Sequence, residues 1–76
     1  MPRRSALAIR ITEANREKIA IMNNGVVPEC EENNTFFVVD EDFTVLPTIL
    51  SARQFERTYK FIYPVSDKYF VDCVAI

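Results

Sequence analysis

Arg53, Arg57 and Lys60 stand four and then three residues apart, the spacing that lines side chains along one stripe of a helix. Phe55 and Tyr59 fall on the neighbouring stripe. Guanidinium forks beside aromatic rings suit the gripping of phosphate oxygens while a flat base stacks. Arg53, Arg57, Lys60 and Tyr59 are therefore candidate ligand-binding residues, joined by Arg10 from the outward side of an earlier strand. Arg3 and Arg4 are weaker candidates for the same work. The plainer alternative is a solvated helix face with a Glu56–Lys60 pair worth roughly 0.2–0.5 kcal/mol, and Phe55 and Tyr59 acting as core anchors.

Catalytic chemistry has little to draw on. The chain has no histidine, which removes the commonest general base and metal ligand. Ser5, Ser51 and Ser66 lie in no nucleophile motif, and a single glycine excludes a glycine-rich phosphate loop. Cys30 and Cys73 stand alone, too sparse for a cysteine-based zinc site. They are expected to be reduced thiols in a cytosolic protein, and nothing in their spacing requires a bridge. Glu29, Glu31, Glu32, Asp40, Glu41 and Asp42 lack the order of a calcium loop. They read as two solvated turns whose charge discourages aggregation of the strand between them. No catalytic residue, metal or cofactor is expected. The chain should bind rather than transform.

Size and charge narrow the partners. Seventy-six residues make one domain spanning 1–76. Folding of an 8.8 kDa chain buries roughly 60% of its unfolded surface, so the core is modest and self-association is expected. A net charge of −2 suits duplex DNA poorly, since several phosphates must be neutralised at once. A small anionic ligand needs only a local basic cluster. There is neither an apolar run of about 18 residues nor a secretory leader, so no membrane span is expected.

The elements that would position the basic stripe are legible in outline. Leu7, Ile9 and Ile11 alternate with Ala8 and Arg10, which predicts a strand at Ala6–Thr12 half-buried on one face. Thr12 is placed to cap a helix running to about Asn23, stopped by Asn24-Gly25. Ala14, Ile19, Ile21 and Met22 form its apolar arc, with Lys18 in the middle. Thr35–Val39 is a β-branched and aromatic run with the character of a strand buried on both faces. Asp40-Glu41-Asp42 then turns into a strand at Phe43–Leu46, closed by Pro47. Ser51 and Gln54 make a capping box for a helix through about Thr58, with Ala52, Phe55 and Tyr59 on its inner side. Strands at Lys60–Pro64 and Tyr69–Val74 flank a turn at Ser66-Asp67-Lys68. The expected fold is α+β, a small mainly antiparallel sheet with two helices in the order β-α-β-β-α-β-β.

Two stretches of this sequence carry a resemblance. Phe36-Phe37-Val38-Val39 and Phe55-Glu56-Arg57-Thr58-Tyr59 look like a type of small tailed-phage protein. That type has an apolar strand, an acidic hairpin and a closing pattern of Phe, acid, base, Thr, Tyr. The likeness covers roughly residues 6–60, and the closing pattern is its distinctive part. Asn34-Thr35 stands where the type has Gly-Asp, and Phe61–Ile76 extends beyond its usual end. The resemblance implies a phage or prophage origin and a place in the bacterial host's cytoplasm. It also implies an anti-defence protein, some of which are small homo-oligomers that sequester cyclic nucleotide immune signals. The expected function is that sequestration, with subunits associating through the apolar C-terminal strand. The alternative is an inhibitor or adaptor of a host defence or nucleic-acid enzyme, docking by the acidic 29–42 surface or a strand edge.

Overall fold

The computed structural model of the chain describes residues 5–29, 35–40 and 47–76. Five strands and two helices follow in the order β1 (Ser5–Arg10), α1 (Arg16–Met22), β2 (Thr35–Asp40), β3 (Thr48–Ser51), α2 (Ala52–Thr58), β4 (Tyr59–Phe61) and β5 (Val71–Ala75). They form one antiparallel sheet with strand order β3-β2-β1-β5-β4. The α+β class and the element order match the expectation from the sequence. β1, the middle strand, pairs Ala8 with Val38 on one side and Val71 on the other.

Because side chains alternate along a strand, this register sorts the core into two clusters, one on each sheet face. Ala6, Ala8, Phe36, Val38 and Cys73 pack under Phe55 of α2. Ile9, Ile11, Phe37 and Val39 pack with Ile19 of α1. β1 is therefore buried on both faces, not on one as its alternation predicts. The second side carries Ala6, Ala8 and Arg10, and the two alanines are buried in the cluster that includes Phe55 of α2. Thr35–Val39 is buried throughout, as its unbroken apolar run requires.

Thr12 caps the turn that leads in, its Oγ1 accepting from the Asn15 N–H at 3.3 Å and its carbonyl from the Arg16 N–H at 3.0 Å, and the α-helix itself starts at Arg16. Asn15 is buried, and its Oδ1 accepts from the Thr12 backbone N–H at 2.8 Å. Its Nδ2 donates to the Arg10 carbonyl at 2.8 Å and to the Asp67 carbonyl at 2.7 Å. With its side chain spent on the corner, Asn15 offers α1 no side-chain cap. The helix is seven residues long, and Ile19 and Ala20 are buried while Ala14 and Lys18 are exposed. Ile21, expected on the apolar arc, is 83% exposed. The stop falls as predicted: Asn24 (φ 56°) and Gly25 (φ 79°) both adopt the left-handed region. The Gly25 N–H then reaches back to the Ala20 carbonyl at 2.8 Å.

The later strands shift by a few residues. The predicted strand at Phe43–Leu46 lies outside the described residues; β3 begins after Pro47, where Thr48 and Ile49 pair with Val38 and Phe37. β4 ends at Phe61 instead of Pro64, although the Ile62 N–H still donates to the Asp72 carbonyl. The last strand starts at Val71, after the Ser66 hydroxyl has accepted from the Lys68 and Tyr69 N–H groups. β5 lies between β1 and β4, so both of its hydrogen-bonding edges are occupied. Association by adding a strand to β5 is thereby excluded; among the described residues the sheet's edges are β3 and β4. Among the described residues no helix is long and apolar enough to cross a membrane.

Candidate functional site

The second helix carries the site because it is held at both ends. Ser51 Oγ accepts from the Gln54 N–H at 3.3 Å, and Gln54 Oε1 accepts from the Ser51 N–H at 3.1 Å, the reciprocal capping box read from the sequence. At the other end the chain passes straight into β4, and the Thr58 carbonyl accepts from the Ile76 N–H at 3.0 Å. Phe55 is only 2% exposed. It stacks on Phe61 at 4.5 Å and on Tyr59 at 5.6 Å, and lies 4.8 Å from Phe36. These rings form the floor of a cleft of about 470 Å³ between α2 and the sheet.

Arg10 enters this cleft from the sheet. Its register partner is Phe36, so the two side chains share a face, and the guanidinium carbon lies 5.8 Å from the Phe36 ring centre. The backbone of Arg10 is fixed on both sides. Its N–H donates to the Ser66 carbonyl at 3.0 Å, and its carbonyl accepts from Asn15 Nδ2. Nε is buried, and no described residue accepts its hydrogen. An unpaired buried donor costs roughly 1–3 kcal/mol, and more when the group is charged. Arg10 thus brings a cation to the lining of the cleft and carries one buried donor that no described residue satisfies.

The structure brings together part of the predicted set. Arg10, Tyr59 and Lys60 line the cleft. Lys60 does so from β4, where its partner Val74 puts it on the opposite sheet face from Tyr59 and Phe61. The helix ends at Thr58, so Lys60 does not continue the Arg53–Arg57 stripe, and the Glu56–Lys60 helix pair is not formed. Arg53 and Arg57 are exposed and do not line the cleft. Phe55 is a core anchor, while Tyr59 is half-buried and reaches both core and cleft. Arg3 and Arg4 lie outside the described residues.

One lining residue was passed over in the sequence. Glu56 is exposed on α2 and lines the cleft with Arg10. At 100° per residue it sits only about 40° from Ala52, on the inner side of the helix.

Other chemistry is sparse. Cys73 is a buried free thiol; burial first, and the neighbouring Asp72 charge second, push its pKa up to about 11. The other cysteine, Cys30, lies outside the described residues. Among the described residues no group of acids and cysteines is placed to hold a metal ion. Comparison with protein-family models, curated proteins and solved structures finds no match to this chain.

Proposed function

We propose that this is a non-catalytic binding protein that takes a small anionic nucleotide into the Arg10–Tyr59 cleft. The observation that carries the reading is Arg10: a fixed, partly buried guanidinium over an aromatic ring, with Nε lacking an acceptor. Guanidinium donors match phosphate and base oxygens, and the half-buried aromatic rings of Tyr59 and Phe61 line the same cleft, where a base could stack. In this reading Arg53 and Arg57, on the outer side of α2, meet phosphates at the rim or a second subunit. The phage resemblance makes the specific form sequestration of a cyclic nucleotide immune signal by a homo-oligomer in the host cytoplasm.

A thermal-unfolding panel of cyclic di- and trinucleotides tests this. A ligand with a Kd near 10 µM, present at 1 mM, stabilises the fold by about 2.7 kcal/mol, a rise of roughly 10–20 °C in a domain this small. Arg10→Met should abolish the rise without lowering the ligand-free midpoint, because it removes an unpaired buried donor. A flat panel would rule the reading out.

A second reading, docking to a host protein, is favoured by Ile62, Tyr63 and Tyr69 at the β4–β5 tip, each more than half exposed. Capture of a stoichiometric partner that is lost in Tyr63→Ser/Tyr69→Ser would support it over the first.

A further inference from the structure

The cleft makes two opposite demands on its occupant. Arg10 supplies only donors, and ionised Glu56 supplies only acceptors. Both line the same cleft, yet they form no ion pair with each other: among the described residues the one ion pair joins Arg16 to Glu13. Phe36, Tyr59 and Phe61 occupy the lining with them, so the space between the charges suits a flat ring.

Resting on the nucleotide reading above, we propose that the base held in this cleft is guanine. Guanine carries two adjacent acceptors, O6 and N7, which match the paired donors of an arginine fork. On its next edge it carries two adjacent donors, N1–H and N2–H₂, which match the two oxygens of a carboxylate. Adenine sets a donor, N6–H₂, beside N7, so an arginine meets a donor where it needs an acceptor. It also offers a carboxylate one donor group flanked by an acceptor. Cytosine has a single exocyclic donor group, and uracil a single N–H between two carbonyls. Only guanine satisfies Arg10 and Glu56 together. A cleft of about 470 Å³ has room for the base and its sugar, leaving phosphates toward the exposed rim.

Calorimetric titration with cyclic di-GMP and cyclic di-AMP, on the wild-type chain and on Glu56→Gln, decides the matter. Glu56 is exposed, so the substitution leaves the core intact. The expected result is at least tenfold tighter binding of the guanine ligand by the wild type. Glu56→Gln should weaken that ligand roughly tenfold or more and so narrow or reverse its lead over the adenine ligand, because a glutamine amide can pair with adenine's N6–H₂ and the ring nitrogen beside it. Equal affinity for the two ligands, or a guanine preference untouched by Glu56→Gln, would overturn the guanine assignment while the nucleotide cleft stands. Binding of neither ligand by the wild type, with other cyclic nucleotides also silent, would overturn the cleft reading and the assignment with it.

Discussion

Two residues show how burial decides chemical character in this chain. Arg10 lies on a strand position that pattern alone would give to solvent, yet its guanidinium lies over the Phe36 ring and its Nε is buried without an acceptor among the described residues. Cys73 is the opposite case, a nucleophile made inert. Its thiol sits among Ala6, Phe36 and Phe55, and its pKa of about 11 stands above the ordinary 9.0. The native state therefore holds this proton more tightly than the unfolded chain does. Its stabilising effect is complete below pH 9 and is lost as pH rises towards 11. The expected outcome is that urea midpoints of the wild type fall between pH 9 and 11 more steeply than those of Cys73→Val. Parallel slopes would show that the thiol is not shielded. The same burial predicts that native Cys73 does not react with a thiol reagent at pH 8, while the urea-unfolded chain does.

The elements were read best where a local signal is complete within a few residues. The Ser51–Gln54 capping box and the Asn24-Gly25 stop need only their own neighbours, and both appear as written. Ser51→Ala should cost about 1 kcal/mol, visible as a lower urea midpoint with unchanged slope. Reading failed where a side chain serves a distant partner. Asn15 looks like an ordinary polar residue at a helix start, but it ties the end of β1 to the Asp67 carbonyl, 52 residues away. No periodicity reveals that bond; α1 begins directly after it, at Arg16, and Ile21 is exposed to water. Asn15→Leu should cost roughly 1–3 kcal/mol, since it strands buried backbone groups of Arg10, Thr12 and Asp67. Ile21→Gln should cost less than about 0.5 kcal/mol, the value for a surface change. Equal costs for the two would contradict the placement of the helix.

At the scale of the molecule, the sequence conveyed class, element order and the absence of histidine chemistry, because these follow from composition and alternation. It did not convey which basic residues meet. Arg53 and Arg57 share a helix stripe, but the sheet order brings Arg10 of β1 to the inner side of that helix, beside Tyr59 and Glu56. Strand order is a long-range property, and a helical wheel is blind to it. It also moves the question of self-association. β5 is enclosed, so any sheet pairing between subunits must use β3 or β4; β3 is the edge without a charged residue. If subunits pair there, Ile49→Lys should convert an oligomer to a monomer in light scattering, while Tyr63→Ser should not.

Arg10 is proposed to hold an anion that the chain leaves chemically unchanged. Calorimetry of wild type and Arg10→Met with a cyclic dinucleotide, followed by chromatography of the recovered ligand, measures both halves of that statement. Saturable heat from the wild type, its loss in Arg10→Met and intact ligand at the end are the predicted result. Undiminished binding by Arg10→Met, or conversion of the ligand to a product, would contradict it.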